Sequence, residues 1–357
     1  MNLEALEWAC KNGSLAQIND TLTEFGSEAV LNARLGRYSV PCLSIAARHE
    51  RESLVTVLLS LGADPNAGDK NNKISLHYAS ETCCSSIIVK LLIKAGANIN
   101  AKINWNGNSV LHTAAQYQGA ESIQVLLDAG ANPNARDRIW ETPLHAAAKK
   151  RKRGNAENPA VMRVLLLGGA KVTLWNRQLE RPLHIAARCQ NADTVEAILF
   201  WGGYMAPGGP DINVQVGSDK NTALHIVTLL PNPDPEIMKL FFGAGANVNA
   251  YDRYGLTPFH HAALKTKPNI IRLFITHVKN FNIDTPQNAK WKYTAYDLTL
   301  RTQTGKEPLK SITELVKLGA KTGKYADFEL QQRVSVLTAI LRGKYLRSLR
   351  RGKNDDM

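Results

Sequence analysis

The chain has 357 residues, and its 44 lysines and arginines outnumber its 31 aspartates and glutamates, which gives a formal net charge of +13. That charge suits an acidic protein, a nucleic acid or an anionic membrane surface as partner and says nothing about fold. No stretch approaches the roughly 18 apolar residues of a membrane span, and the acidic N-terminal stretch lacks the apolar centre of a secretory signal. The five cysteines have no framework spacing, which predicts reduced thiols in a cytoplasmic, reducing compartment.

One short phrase recurs along the chain. Its best copy reads Glu141-Thr142-Pro143-Leu144-His145-Ala146-Ala147-Ala148. The leucine of this phrase recurs at Leu76, Leu111 and Leu144, which are 35 and then 33 residues apart. More degenerate copies of the phrase surround His184, His225 and His260. A period of about 33 residues predicts a repeat architecture.

Each phrase has the features of a helix start. Thr142 can cap free backbone N–H groups, and Pro143 has no N–H to leave unpaired. In the neighbouring copy a second apolar run at 123–127 has helical spacing, and Gly130 then offers a left-handed helix end before a turn. One such helix pair cannot bury its own apolar face, so it must stack on its neighbours.

This phrase at this period resembles the ankyrin-repeat family over residues 1–324. The resemblance implies an all-α fold, a solenoid of about nine helix-turn-helix units with projecting hairpin loops and a concave ligand face. It also implies protein binding without catalysis, with no cofactor and no small-molecule substrate. Residues 325–357 are predicted to form a C-terminal capping helix and a basic tail.

Several repeats depart from the pattern. The fifth has an insertion at 149–159, and the sixth ends in a Gly/Pro-rich segment at 204–210 that predicts an exposed loop. The seventh has a proline-rich connection at 230–235. In the ninth, Asp297 stands where the phrase has histidine, as expected of a worn terminal repeat.

The recurring histidines invite a metal or catalytic interpretation. Stacked repeats would place these rings about 10 Å apart, which is too far to share one ion. The resemblance instead implies that each histidine hydrogen-bonds backbone between neighbouring repeats. No phosphate-binding loop, zinc-binding spacing or nucleophile motif is found, so the sequence predicts neither an enzyme nor a metal site.

The hairpin tips carry the candidate binding residues. Tryptophan, tyrosine and arginine dominate protein interfaces, and Trp140 stands where the repeat pattern has glycine. The alternative is that each ring simply packs on the neighbouring tip. The candidates are Trp105, Arg136, Arg138, Ile139, Trp140, Trp175, Arg177, Tyr251, Arg253 and Tyr254.

A basic run in the fifth repeat is a candidate anion-binding site. It comprises Lys149, Lys150, Arg151, Lys152 and Arg153. A solvated loop and a nuclear-import signal are the other interpretations. With the basic tail, this run forms the second functional hypothesis, namely binding to nucleic acid or an anionic membrane surface. The charge is scattered along the chain, which ranks that hypothesis below protein binding.

The favoured function is a non-catalytic scaffold that binds an acidic protein through the concave face and the hairpin tips. The worn repeats and uneven insertions also resemble the ankyrin proteins that intracellular bacteria deliver into host cells. That resemblance implies a host protein as partner, and the host cytosol or nucleus as compartment. A eukaryotic scaffold with the same repeats is the alternative.

Overall fold

A computed structural model describes most of the chain. It covers residues 3–302 except 14–16, 18–19, 21, 25, 83–85, 118, 150–157, 206–209, 266–267, 280 and 287–292, and it adds Leu315, Leu318 and Ala320. The chain divides into two compact units, unit 1 at Met1–Asp211 and unit 2 at Ile212–Met357. The predicted boundary at 324/325, the capping helix and the basic tail lie outside the described residues.

Unit 1 consists of helix pairs joined by hairpins. Its first hairpin contains two short antiparallel strands, in which Leu35 faces Val40. Its elements are α1 (Leu3–Asn12), α2 (Ser27–Asn32), β1 (Arg34–Leu35), β2 (Val40–Pro41), α3 (Cys42–Arg48), α4 (Glu52–Ser60), α5 (Ser75–Ala79), α6 (Ser86–Lys94), α7 (Val110–Tyr117), α8 (Ala120–Asp128), α9 (Pro143–Ala148), α10 (Asn158–Leu167), α11 (Pro182–Cys189) and α12 (Ala192–Met205).

Unit 2 repeats the same plan. Its elements are α13 (Ala223–Leu229), α14 (Pro235–Gly243), α15 (Pro258–Leu264), α16 (Pro268–His277) and α17 (Ala295–Thr302). The proline-rich connection ends at Asp234, whose carboxylate accepts the Glu236 N–H at 2.9 Å and caps α14.

Stacking of like helices builds the core of each unit. In unit 1 the first helices of the pairs, α3, α5, α7, α9 and α11, pack in that order, and the second helices pack in a parallel row. The repeated leucines Leu76, Leu111 and Leu144 are almost fully buried in the first row. In unit 2, α13, α15 and α17 pack in the same manner. The predicted all-α row of stacked helix pairs is confirmed.

The recurring phrase begins each first helix as predicted. Thr142, Thr222 and Thr257 are the N-cap residues of α9, α13 and α15. In the worn ninth repeat, the Asp297 carboxylate accepts both the N–H and the hydroxyl of Thr294 at 2.9 Å. Aspartate therefore replaces the histidine as the acceptor that holds the helix start.

Asparagine side chains tie the loops that follow the second helices. Gly130 ends α8 with a φ of 94°, the left-handed conformation that its position predicted. The Asn100 amide donates to the Gly130 carbonyl at 3.3 Å and accepts the Asn132 N–H at 3.0 Å. One amide thus satisfies both a donor and an acceptor of the next repeat.

The histidines of the phrase bridge neighbouring repeats. His112 Nδ1 accepts the Ser109 N–H at 3.2 Å, so its proton lies on Nε2, which donates to the Glu141 carbonyl at 2.9 Å. His145 reaches the Glu180 carbonyl at 3.1 Å in the same way. His225 reaches the Leu256 carbonyl at 3.1 Å. The structural role of these histidines is confirmed.

Burial keeps these histidines neutral. It lowers the pKa of His77, His112, His225 and His260 to about 4 and that of His145 to about 3. Protonation would also place a hydrogen on Nδ1, against the N–H that this nitrogen accepts. Within the described ranges, no group of three or more His, Cys, Asp or Glu side chains could hold a metal ion.

One predicted loop is partly helical. Residues 204–210 were expected to form an exposed loop, but α12 continues through Met205. Residues 206–209 lie outside the described part of the chain, as do residues 150–157 of the other insertion. Over the residues that are described, no helix is both long and apolar enough to cross a membrane.

We expect the protein to lose stability as pH falls from 7 to about 5. In this range the histidines of the unfolded chain, with pKa values near 6.5, become protonated, whereas the buried histidines of the folded chain stay neutral. Each buried histidine should contribute a loss on the order of 1–2 kcal/mol, complete only near its folded pKa of about 4. Urea unfolding at both pH values measures the loss. His145→Gln should reduce the pH dependence, whereas the matched change at exposed His277 should leave it intact. A wild-type stability that is independent of pH contradicts the bridging role.

Candidate protein-interaction surface

In four hairpins one polar side chain at the base holds the tip, namely Asp69, Asp137, Asn176 and Asp252. The Asp137 carboxylate accepts the backbone N–H groups of Ile139 at 2.9 Å and Glu141 at 2.8 Å. Asn176 and Asp252 make the equivalent bonds in their own hairpins. This base residue therefore holds the tip conformation, and the side chains at the tip are not required for it.

Backbone hydrogen bonds join the tips of unit 1 from side to side. An N–H of each tip donates to a carbonyl of the preceding tip. The bonds run from Lys70 to Tyr38 at 3.0 Å, Asn104 to Asn71 at 2.8 Å, Arg138 to Asn106 at 2.9 Å and Arg177 to Ile139 at 2.9 Å. Five consecutive tips are consequently in register, and side chains at equivalent positions follow one another along the surface.

One residue of each tip has a left-handed backbone. In unit 1 these residues are Ser39, Asn72, Gly107, Trp140 and Leu179, with φ between 56° and 77°. The lateral donors Lys70, Arg138 and Arg177 lie two positions before them, whereas Asn104 lies three positions before Gly107, so the third tip has one more residue than its neighbours. The residue two positions before each left-handed residue is exposed in every tip of unit 1. We call these five residues the tip row: Arg37, Lys70, Trp105, Arg138 and Arg177.

Trp140 stands where the repeat pattern has glycine, and its φ is 64°. A left-handed backbone costs a side-chain-bearing residue about 1–2 kcal/mol. The indole is 44% exposed, and the guanidinium of half-buried Arg136 lies 5.4 Å from its ring centre. Nearly half of the indole surface is therefore available to a partner, at a position where glycine would fold with less strain.

The structure brings seven of the ten predicted interface residues together on three consecutive tips of unit 1. Trp105 is 65% exposed, and Ile139 and Trp175 are also exposed. The other three candidates lie on one tip of unit 2, where the Tyr251 hydroxyl donates to the Pro286 carbonyl at 3.3 Å. The grouped seven are Trp105, Arg136, Arg138, Ile139, Trp140, Trp175 and Arg177; the others are Tyr251, Arg253 and Tyr254.

Ion pairs brace the hairpins against the first helices, a feature that the sequence analysis missed. Lys149 at the end of α9 lies 2.5 Å from buried Glu141. Arg188 pairs with Glu180 in the next repeat, and Lys73 pairs with Glu81 at 2.6 Å with the charges reversed. Opposite charges eight residues apart were the available signal. Lys149, the first anion-binding candidate, is thus engaged, and Lys150, Arg151, Lys152 and Arg153 lie outside the described residues.

The cations of the tip row have no such partners. Among the described residues, no carboxylate lies within ion-pair distance of Arg37, Lys70, Arg138 or Arg177. The nearby acids are otherwise engaged, Asp137 by backbone N–H groups and Glu141 by Lys149. The surface therefore combines uncompensated positive charge with exposed aromatic and aliphatic groups.

Two family models match the chain. Three copies of ankyrin repeats match residues 43–137, and a further ankyrin repeat matches residues 140–177. No curated protein is significantly similar to this chain. The matched residues include Lys70, Trp105, Trp140 and Arg177, and Arg138 lies between the two matches.

We expect Trp140→Gly to be more stable than Trp140→Ala by about 1 kcal/mol, because glycine relieves the left-handed strain and alanine does not. The matched control is Ile139, whose φ is negative, where the alanine variant should be the more stable of the two. Urea unfolding of the four variants measures both differences. Equal stability of the two variants at position 140 would show that the strain is absent.

Proposed function

Because the chain is an ankyrin-repeat protein, and such repeats are generally protein–protein interaction modules, we propose that it is a non-catalytic scaffold that binds a protein partner through the hairpin tips of unit 1. Trp140 is the single observation that carries this proposal. A large side chain is kept exposed at a position where glycine would fold with less strain.

The composition of the tips supports a protein as the ligand. Exposed Trp105, Trp140 and Trp175 offer large rigid areas for burial, and Arg138 and Arg177 can form paired hydrogen bonds to carboxylates. Residues of these types supply most of the energy of protein interfaces. Three consecutive tips in register present them to one partner.

Charge supports an acidic partner. Glu141 and Glu180 form ion pairs with Lys149 and Arg188, while the arginines of the tip row keep their charge uncompensated. An acidic surface would be attracted over a distance set by ionic strength, which mainly speeds association, and the buried aromatic contacts would then hold it. Affinity and salt dependence should therefore come from different residues of the same surface.

The setting proposed for this activity is a host cell. Worn repeats with uneven insertions, at 149–159 and 204–210, support a bacterial effector whose partner is a host protein. The alternative is binding to nucleic acid or an anionic membrane surface through Lys149–Arg153 and the basic tail. The engagement of Lys149 with Glu141 weighs against the first of these basic segments.

We expect affinity capture with the full chain to enrich a protein from host-cell lysate, and Trp140→Gly and Arg138→Ala each to reduce its recovery at least about tenfold, as truncation of interface anchors does. Lys94→Ala, an exposed cation on second helix α6, is the matched control and should retain the partner. Quantitative mass spectrometry measures recovery.

Three results would count against the proposal. Equal recovery with all variants would exclude the tips as the binding surface. Enrichment only from bacterial lysate would exclude a host partner. Binding that is restricted to nucleic acid or anionic vesicles and falls steeply with salt would favour the alternative instead.

A further inference from the structure

We propose, on the basis of the function proposed above, that unit 1 recognises an extended acidic peptide segment that lies along the tip row. The segment crosses the five tips in order and presents an acidic residue to each cation of the row. At the middle tip, where Trp105 interrupts the cations, it presents an apolar residue. The partner is thus defined by a spacing of charges as well as by their sign.

The first step is the alignment of the charges. Arg37, Lys70, Arg138 and Arg177 occupy the same position in four tips, and the lateral backbone hydrogen bonds hold these tips side by side. All four are exposed, and the Lys70 ammonium donates to the Arg37 carbonyl at 3.2 Å. A carbonyl leaves the ammonium charge uncompensated. The row is therefore a line of cations that can each receive a carboxylate.

The acids beside the row cannot neutralise it. The Asp69 carboxylate accepts the N–H groups of Asn71 and Lys73 at 2.8 and 2.9 Å and the Tyr78 hydroxyl at 2.8 Å. Burial of Tyr78, followed by its hydrogen bond to Asp69, raises the pKa of this tyrosine above the usual value, so it remains a donor. The oxygens of Asp69 are therefore engaged by the framework and not by the cations of the row.

The second step is the spacing. Packed helices lie about 8–10 Å apart, so equivalent residues of neighbouring repeats have roughly that separation. An extended peptide in the polyproline II conformation rises about 3.1 Å per residue with three residues per turn, so residues three apart lie on one face about 9 Å from each other. Matching five tips therefore takes a segment of about 13 residues with acids at positions 1, 4, 10 and 13 and an apolar residue at position 7.

The third step is the choice of a peptide over a nucleic acid. A DNA strand carries a phosphate about every 3.4 Å along its duplex axis, so a row with one cation per ~10 Å would leave most phosphates unmatched. Exposed Ile139 and Leu179 also lie on the same tips as the cations, where they can pack on apolar side chains of a peptide. Acidic residues spaced three apart, with apolar residues between them, fit both features.

A synthetic fluorescent peptide with this register tests the proposal against the full chain by anisotropy at low salt. We expect a peptide of the same composition with its acids contiguous to bind at least about tenfold more weakly, since it matches fewer tips. Arg138→Ala with Arg177→Ala should weaken binding of the registered peptide at least about tenfold. Lys94→Ala with Lys171→Ala removes the same charge elsewhere and should change binding by less than about twofold.

A gain-of-binding variant completes the test. Trp105→Arg fills the gap in the row, and because Trp105 is 65% exposed, the change should leave the fold intact. A peptide with a fifth acid at position 7 should bind this variant at least about threefold more tightly than it binds the wild type.

The proposal is overturned if both peptides bind equally, if the two double variants lose equal affinity, or if single-stranded oligothymidylate outcompetes the registered peptide. Each result separates it from the function proposed above. If Trp140→Gly abolishes partner capture while the registered peptide fails to bind, the scaffold function stands and the extended acidic ligand does not. If Trp140→Gly also leaves partner capture unchanged, the scaffold function through the tips and the extended acidic ligand are both contradicted.

Discussion

A neutral histidine that joins two repeats is the interaction on which the rest of unit 1 depends. Its Nδ1 accepts an N–H at the start of its own helix, and its Nε2–H donates to the hairpin of the next repeat, as His145 does to Glu180. The bridge fixes the hairpin relative to the helix that precedes it, and the lateral backbone bonds then fix tip against tip. Because acceptance at Nδ1 requires the neutral ring, the burial that keeps the histidine neutral also preserves the bridge.

This framework separates residues that fold the chain from residues that are free to bind. Base residues such as Asp137 shape the tip, braces such as Glu141–Lys149 hold it to the helix, and Asn100 closes the opposite loop. These groups satisfy one another, so the tip side chains are not needed for stability. A tip can then carry a tryptophan at a left-handed position, a choice that folding alone would not favour.

Local patterns in the sequence predicted the repeats well, because a helix start or end is specified within a few residues. The helix start at Thr142 and the left-handed helix end at Gly130 were both predicted correctly. The contacts between repeats were harder to predict, because their partners lie 30 or more residues apart. The bond from Asn100 to Gly130 has no local signature. The predicted start of the loop at 204 was wrong because α12 includes two further residues, Tyr204 and Met205, before the glycines and prolines at 207–210.

The charge of the chain shows the same limit most clearly. Arg37, Lys70, Arg138 and Arg177 are far apart in the sequence, although each lies six residues before a leucine of the recurring phrase. The sequence alone does not show that the lateral backbone bonds place them side by side, exposed and without a carboxylate partner among the described residues. Unit 2 uses the same framework with different tip residues. The tip-row position is occupied by Ser218 in one tip and by Arg253 in the next. The family fold therefore permits many surfaces, and this surface is distinguished by cations that occupy the same position in successive tips. A partner that binds along the tip row must match the period of the repeats. This requirement is more selective than attraction to a net charge of +13.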